Sequence, residues 1–282
     1  MDYISLTHDD VKRLLPERKS DCHKGDCGKL LLLCGSRGFT GAAALAAMGA
    51  LRSGAGLVYL AVPECIYAIE AVKLTEPIVI SLSGSDTTLS VAAAAEAEKL
   101  LKGKDAVLIG PGLGCSDGTL CVLKAVLKSY NGPVIIDADG INLLQQHTDL
   151  LRGRTAPTIL TPHMGEFQRI GGSCELPRCE AAVQVAQDLG VIVLLKGHET
   201  VITDGTTSYV NRTGNPGMAV GGSGDVLSGI ITALIGQGIA PLEAAACGAW
   251  LHGAAGDICA AEIGQYGMLP TDMLAVLPRL LK

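Results

Sequence analysis

The sequence predicts an α/β protein built on a mainly parallel central sheet with helices against both faces. Short apolar runs bounded by Gly, Pro or Asp recur between longer Ala- and Leu-rich stretches, the one-dimensional pattern of repeated βα units. The runs are apolar throughout instead of alternating, which requires cover on both sheet faces. With 48% apolar and 18% charged residues over 282 positions, the chain has ample material for a buried core.

Taken in order, the first Leu-rich stretch reads as a helix at Thr7–Leu15, and Leu30–Cys34 is the first wholly apolar run and so the first strand. Ala42–Arg52 reads as a helix, Leu57–Val62 as a strand, Leu89–Leu101 as a helix and Ala106–Ile109 as a strand. Helix Gly118–Lys128 and strand Val134–Ile136 follow, then strand Thr158–Leu160, helices Gly165–Ile170 and Arg178–Asp188, and strand Val191–Leu195. There the pattern changes. Thr200–Thr203 and Thr207–Val210 are β-branched runs on either side of Asp204-Gly205, which predicts an antiparallel hairpin with a type I′ turn. Helices at Val226–Gln237, Leu242–Glu262 and Asp272–Leu281 close the chain. No Pro/Ser-rich linker, low-complexity tract or long-period repeat divides it, so residues 1–282 are expected to form one domain.

Composition excludes several classes of function. The net charge is 22 − 28 = −6, with no basic block longer than the neighbourhood of Arg18-Lys19, and aromatics make up 3%. A nucleic-acid partner would need a basic stripe or a stacking platform, and neither is present. The most apolar stretch, Gly41 to Val62, is broken by Arg52 and four glycines, and Met1-Asp2-Tyr3 has neither a basic nor an apolar leader region. No membrane association and a cytoplasmic location are the expectations. The ten cysteines are dispersed without a Cys-x-x-Cys pair and are expected to be reduced, mostly core thiols.

Chemistry concentrates in loops that follow strands. Gly214, Gly217, Gly221, Gly222 and Gly224 crowd the run that enters an apolar helix at Asp225-Val226. Free amides at the positive end of a helix stabilise a phosphate or a developing oxyanion, so Gly221, Gly222, Ser223 and Gly224 are the candidate anion hole. Taken alone Asp225 reads first as a helix cap, but a cap needs one left-handed residue and not five glycines, which turns the reading toward a catalytic carboxylate. Rival phosphate loops fail. Each Gly-x-Gly lacks the third glycine of a dinucleotide fingerprint: Gly54-Ala55-Gly56 reaches Tyr59, Gly110-Pro111-Gly112 reaches Cys115, and Gly222-Ser223-Gly224 reaches Leu227. Neither Gly28-Lys29 nor Gly103-Lys104 has the preceding Gly or following hydroxyl of a P-loop. Gly110–Gly114, Thr161–Glu166 with His163, and Lys196–Thr200 each follow a strand, and ligands of parallel sheets sit at strand carboxyl ends. Each also has a plain structural reading as a tight turn, a structural histidine or a charged hairpin entry.

In order and spacing, these motifs resemble one family. Gly35-Ser36-Arg37-Gly38-Phe39-Thr40-Gly41-Ala42, Ser53-Gly54-Ala55-Gly56, Gly110-Pro111-Gly112-Leu113-Gly114, Asp137-Ala138-Asp139-Gly140-Ile141-Asn142, Thr161-Pro162-His163-Met164-Gly165-Glu166, Lys196-Gly197 with Thr200, and Gly221-Gly222-Ser223-Gly224-Asp225-Val226-Leu227 resemble the ADP/ATP-dependent NAD(P)H-hydrate dehydratases. The resemblance implies a ribokinase-like three-layer sandwich and dehydration of (S)-NAD(P)H hydrate at the expense of ADP, with Mg²⁺ on the nucleotide phosphates. It also implies a homo-oligomer, in this family a tetramer, and a standalone chain without the epimerase domain that some members carry. By the family's pattern Asp225 is the catalytic base. Ala42, Gly112, His163 and Asp225 contact the hydrate, and Lys196, Gly197, His198, Glu199, Thr200 and Gly224 contact the nucleotide. No metal ligand from the protein is expected. A vitamin-precursor kinase on the same scaffold would use the same anion hole and Asp but leave phosphate on its product. A silent adenylate or NAD(P) sensor would tolerate loss of Asp225.

Overall fold

In the computed structural model the described residues are 3–281; Met1 and Asp2, which open the N-terminal reading, and Lys282 lie outside them. The chain runs α1 (His8–Leu14), β1 (Lys29–Leu33), α2 (Thr40–Arg52), β2 (Leu57–Pro63), α3 (Glu64–Lys73), β3 (Ile78–Leu82), α4 (Ala93–Leu100) and β4 (Ala106–Ile109). It continues through α5 (Asp117–Ser129), β5 (Val134–Ile136), α6 (Asp139–Leu144), β6 (Thr158–Leu160), α7 (Met164–Arg169), α8 (Arg178–Leu189) and β7 (Ile192–Leu195). The last elements are β8 (Thr200–Thr203), β9 (Ser208–Asn211), α9 (Ser223–Gly236), α10 (Pro241–Ile263) and α11 (Pro270–Leu280).

The strands join one sheet in the order β3-β2-β1-β4-β5-β6-β7-β8-β9, parallel except for the antiparallel β7-β8-β9 end. The wholly apolar runs have the expected cause. Alternate residues of each strand enter two separate cores: Leu30, Leu32, Leu108 and Ile135 pack on one face with α2, α9, α10 and α11, while Leu31, Leu33, Val107 and Ile136 pack on the other with α4, α5 and α8. Successive strands leave β1 in both directions, so the carboxyl ends of β1 and β4 form a topological switch point, where parallel sheets open a crevice.

Close backbone contact fixes α9 against α2. A Cβ on Gly49 would lie 2.6 Å from the Val226 carbonyl oxygen, and one on Gly229 would lie 2.2 Å from that of Ala46. Two glycines facing opposite ways across the crossing allow the helices to approach nearer than side chains permit. The first turn of α9 is thereby held above the sheet's carboxyl edge.

Several details differ from the sequence reading. The structure adds α3, β3, α6 and a 3₁₀ turn at Thr148–Leu151. β3 is a short edge strand with partly exposed residues, and so lacks the wholly apolar signature of the interior strands. The first strand spans Lys29–Leu33 and the last Ser208–Asn211, each one residue from expectation. α4 begins at Ala93 rather than Leu89 because Leu89 bridges Gly84 and the Ser90 amide donates to the Ser83 carbonyl, holding this stretch extended. The hairpin turn is not type I′. Four residues separate the paired Thr203 and Ser208, Gly205 alone among them has positive φ (90°), and the Asp204 carboxylate accepts the Thr206 and Thr207 amides at 2.8 Å each. An Asx turn thus replaces the two consecutive positive φ angles that type I′ requires. The cysteines are unpaired but not mostly core: Cys27, Cys34, Cys247 and Cys259 are buried, and the other six are intermediate or exposed.

Gly229→Ala tests the α2–α9 contact. The added methyl meets backbone, which cannot rotate away, so stability in urea should fall by about 1–3 kcal/mol. A change below about 0.5 kcal/mol, the range of neutral surface substitutions, would show that this approach is not close.

Candidate active site

Charge collects where β5, β6 and β7 end. Asp137 follows β5 and is almost fully buried; its Oδ1 accepts the Ala138 amide and lies 2.9 Å from Lys196 Nζ. Lys196 follows β7, and its Nζ is also 3.9 Å from Glu166 Oε2 on α7. Burial alone would lower the Lys196 ammonium, but Asp137 and Glu166 outweigh it and hold the group above its ordinary value. The cation is therefore permanent. It stands 3.3 Å from the position a Cβ on Gly224 would take, directly beneath the glycine-rich entry to α9.

The two readings of Asp225 separate in the structure. Gly222, left-handed at φ 94°, is the residue that caps α9, and Asp225 lies within the first turn with its side chain making no cap bond. Its carboxylate has no hydrogen-bond donor among the described residues. Burial, reinforced by Asp137 and opposed by Lys196, pushes its pKa up to about 6. The amides of Gly221, Gly222, Gly224 and Asp225 likewise find no acceptor among the described residues, whereas the Ser223 amide donates to the Val220 carbonyl at 3.3 Å. Four amides of this entry are therefore free donors, and the Ser223 amide is not among them. Left-handed backbone is confined to Gly214 and Gly222 in this run; Gly224 is helical, and its lack of a side chain leaves room for Lys196.

The other sequence-selected residues divide between two wings. Ala42 and Gly112 meet at the switch point: a Cβ on Gly112, at φ 63°, would lie 2.8 Å from that of Ala42. The Gly35 amide donates to the Pro111 carbonyl at 2.8 Å, joining the β1 and β4 loops. On the far wing Gly197 is left-handed, Thr200 Oγ1 closes on the Gly197 carbonyl at 2.9 Å, and exposed His198 stands at the loop tip. Glu199 instead turns to Arg212 at 3.1 Å. His163 caps α7: its Nδ1 accepts the Gly165 and Glu166 amides at 3.0 and 3.3 Å, and its side chain is 57% exposed, so it is not a core histidine.

The structure adds residues to which the sequence reading assigns no role. Asp137 and Asp139 follow an apolar strand directly, a position that marks them in the sequence. Asp139 Oδ2 accepts the Gly114 amide at 2.8 Å and so fixes the Gly110–Gly114 loop to the end of β5. Gly110 is forced by the same junction, since a Cβ there would lie 1.9 Å from the Asp137 carbonyl oxygen. His252 on α10 carries no such signal; it is buried with Nε2 3.2 Å from Ser223 Oγ, and burial brings its pKa down to about 4, leaving it neutral. Cys34 forms a buried floor whose thiol is pushed well up by burial and then by Asp225 and Asp137, so it stays protonated. A concavity of about 560 Å³ between Lys124–Tyr130 and Arg152–Ala156 lies at the amino edge of the sheet and contains none of these groups.

A family model described as NAD(P)H-hydrate dehydratase matches residues 30–279. The ADP-dependent (S)-NAD(P)H-hydrate dehydratase of Cenarchaeum symbiosum is 35% identical over 285 residues, covering 98% of this chain and 96% of that one. The bifunctional NAD(P)H-hydrate repair enzyme of Moorella thermoacetica is 44% identical over 275 residues, which is 95% of this chain but 52% of the relative, so the chain spans about half that protein's length. The crystal structure of the Bacillus subtilis ADP/ATP-dependent NAD(P)H-hydrate dehydratase, co-crystallised with ATP and Mg²⁺, superposes with a TM-score of 0.88 at 33% identity over 99% of this chain and 98% of that one. Thermotoga maritima ribokinase, at 15% identity, 89% of this chain and 99% of its own, and a TM-score of 0.55, shares the fold alone, which is ribokinase-like.

The raised Asp225 pKa has a cost. The native state binds this proton more tightly than the unfolded chain does, so stability falls as pH rises from about 4 to about 6 and stays lower above that. Asp225→Asn should therefore unfold at higher urea than the parent near pH 7, by the equivalent of about 1–3 kcal/mol, with the difference vanishing near pH 4. Equal midpoints at both pH values would mean that the carboxylate is fully solvated.

Proposed function

The chain belongs to the NAD(P)H-hydrate dehydratase family, and from that membership we propose that it removes water from the S epimer of NADH or NADPH hydrate using ADP, returning NAD(P)H with AMP and phosphate. The observation that carries the proposal is Asp225: a carboxylate without a donor, with a pKa of about 6, at the mouth of four free amides and beside a permanent cation. A base with a pKa close to the working pH is ionised yet still basic enough to take a proton.

In this proposal Asp225 takes the proton from the C6 hydroxyl of the hydrated ring as that oxygen attacks the terminal phosphoryl of ADP. The bond from the terminal phosphorus to the bridging oxygen breaks, and AMP leaves with that oxygen. The Gly221, Gly222, Gly224 and Asp225 amides stabilise the charge on the transferring group, and Lys196 adds a fixed positive charge beneath it. Phosphate then leaves C6, pushed by the lone pair of the ring nitrogen, and loss of the C5 proton restores the double bond. Hydroxide has become a good leaving group.

The two wings support two substrates meeting at Asp225. Ala42, Gly112 and His163 border the hydrate. Lys196, Gly197, His198, Thr200 and Gly224 border the nucleotide, with Glu199 contributing backbone because its side chain is held by Arg212. Asp137 Oδ2, which accepts no hydrogen bond among the described residues, suits a Mg²⁺ that arrives on the nucleotide and is held through water. When bound, that ion neutralises phosphate charge. The proposal includes a cytoplasmic homotetramer as the family pattern implies; no helix among the described residues is long and apolar enough to cross a membrane.

Incubation with NADPH hydrate and either ADP or ATP, followed by reduced-nicotinamide absorbance, tests the reading. Recovery with ADP and free phosphate as product is the expected outcome, with kcat/KM falling on the acid side around pH 6. Asp225→Asn should lose at least ~100-fold in rate. A product that retains phosphate would identify a kinase, and recovery undiminished in the variant would reduce Asp225 to a structural residue.

A further inference from the structure

Outside the site, one pair of side chains is placed for a reaction that the dehydration does not use. Cys22 Sγ and Cys27 Sγ lie 3.2 Å apart, close enough for one thiol to share its proton with the other, and Cys22 is exposed whereas Cys27 is buried. Local turns hold them there. The Cys22 amide donates to the Lys19 carbonyl at 3.1 Å, the Asp26 amide to the His23 carbonyl at 2.9 Å, and the Asp26 carboxylate accepts the His23 amide at 3.1 Å. About 1.1 Å separates this contact from a disulfide bond length, a distance that side-chain rotation can close within such a turn.

The turn is also fastened to the loop that joins α2 to β2 and to the carboxyl end of α9. The Cys27 carbonyl accepts the Gly56 amide at 2.9 Å, the Gly28 carbonyl accepts that of Leu57 at 3.0 Å, and Arg18 donates to the Gly54 carbonyl. Gly28, at φ 91°, packs so tightly on Gly236 that a Cβ would lie 2.7 Å from its backbone. A cavity of about 350 Å³ lined by Arg18, Cys22, Cys27 and Gln237 gives a small reagent access to the pair. Asp225 lies at the opposite end of the same 14-residue helix, about 15–20 Å away at 1.5 Å per residue.

We propose that Cys22 and Cys27 form a thiol–disulfide exchange site for low-molecular-weight disulfides, and that the resulting bond staples the turn whose Gly28 packs against the carboxyl end of α9. Cys22, being exposed, attacks one sulfur of the disulfide as the thiolate, having lost its proton to solvent, and displaces one thiol. The Cys27 thiolate then attacks the Cys22 sulfur, displaces the second thiol and closes the intramolecular bond. Two protein thiols are oxidised and one small disulfide is reduced to two thiols. Sharing a proton with Cys27 raises the Cys22 pKa, so exchange is slow at neutral pH and faster in alkali. Closing so short a loop stabilises the fold without altering the chemistry at Asp225.

The test is incubation of the intact protein with millimolar glutathione disulfide, followed by alkylation, trypsin digestion and mass analysis. The tryptic peptides Ser20–Lys24 and Gly25–Lys29 should leave as one cross-linked species, released by reductant. The melting temperature of the parent should rise by about 3–6 °C on oxidation while that of Cys22→Ser does not move. Dehydratase activity of Cys22→Ser should equal that of the parent in reductant. Free thiols at both positions, or a stable glutathione adduct on Cys22 without the cross-link, would overturn the exchange site. A cross-link that leaves the melting temperature unchanged would overturn the staple.

Discussion

A carboxylate partly withdrawn from water at the positive end of a buried helix is the constraint around which this structure is arranged. Burial penalises the Asp225 charge by enough to bring its pKa to about 6, and the chain offsets part of that penalty with the helix terminus and with Lys196. Lys196 is itself buried and would be costly alone, so Asp137 and Glu166 come with it. The cluster is interdependent: each charge is tolerable because of the next, and the one left without a hydrogen bond is the one placed to react. Under the proposed function, stability is lost at Asp225 in exchange for a base of suitable strength, the familiar opposition of the two at active sites.

Topology supplies the positions. Lys196, Asp137 and the His163 loop sit at the ends of β7, β5 and β6, three neighbouring strands of one parallel sheet, while the Ala42 and Gly112 loops meet at the switch point beside β1 and β4. One edge therefore carries the charged cluster together with these loops. Glycine makes the joints possible. Gly49 and Gly229 let α9 descend onto α2, Gly110 lets the β4 loop rest on the Asp137 carbonyl, and Gly224 leaves space for the Lys196 ammonium. A side chain at any of these would move the base or its neighbours by more than a hydrogen bond tolerates.

How much of this the sequence discloses depends on whether a feature is local. Interior strands announce themselves because burial on both faces demands unbroken apolar runs, and the glycines before Asp225 announce a helix entry built for an anion. The edge strand β3 is partly exposed and has no such run. The Asp137–Lys196 pair spans 59 positions and is invisible until the sheet brings β5 and β7 into register. His252 lies on an alanine-rich helix, and nothing in its surroundings there marks it as the partner of Ser223. The cap reading of Asp225 is likewise decided non-locally: it falls only when Gly222 is seen to take the cap. The hairpin turn shows the opposite error, a local pattern overridden by one side chain, since Asp204 binds two amides of its own loop.

The central claim is that Asp225 is a partly desolvated base poised beside a fixed cation, and direct titration tests it most closely. Following the aspartate carboxyl carbons by ¹³C NMR across pH in the folded protein, with Asp225→Asn to identify the signal, should give a midpoint near 6 for Asp225. A midpoint near the ordinary aspartate value of about 3.9 would mean that water or an unseen donor reaches the carboxylate, and would contradict the account.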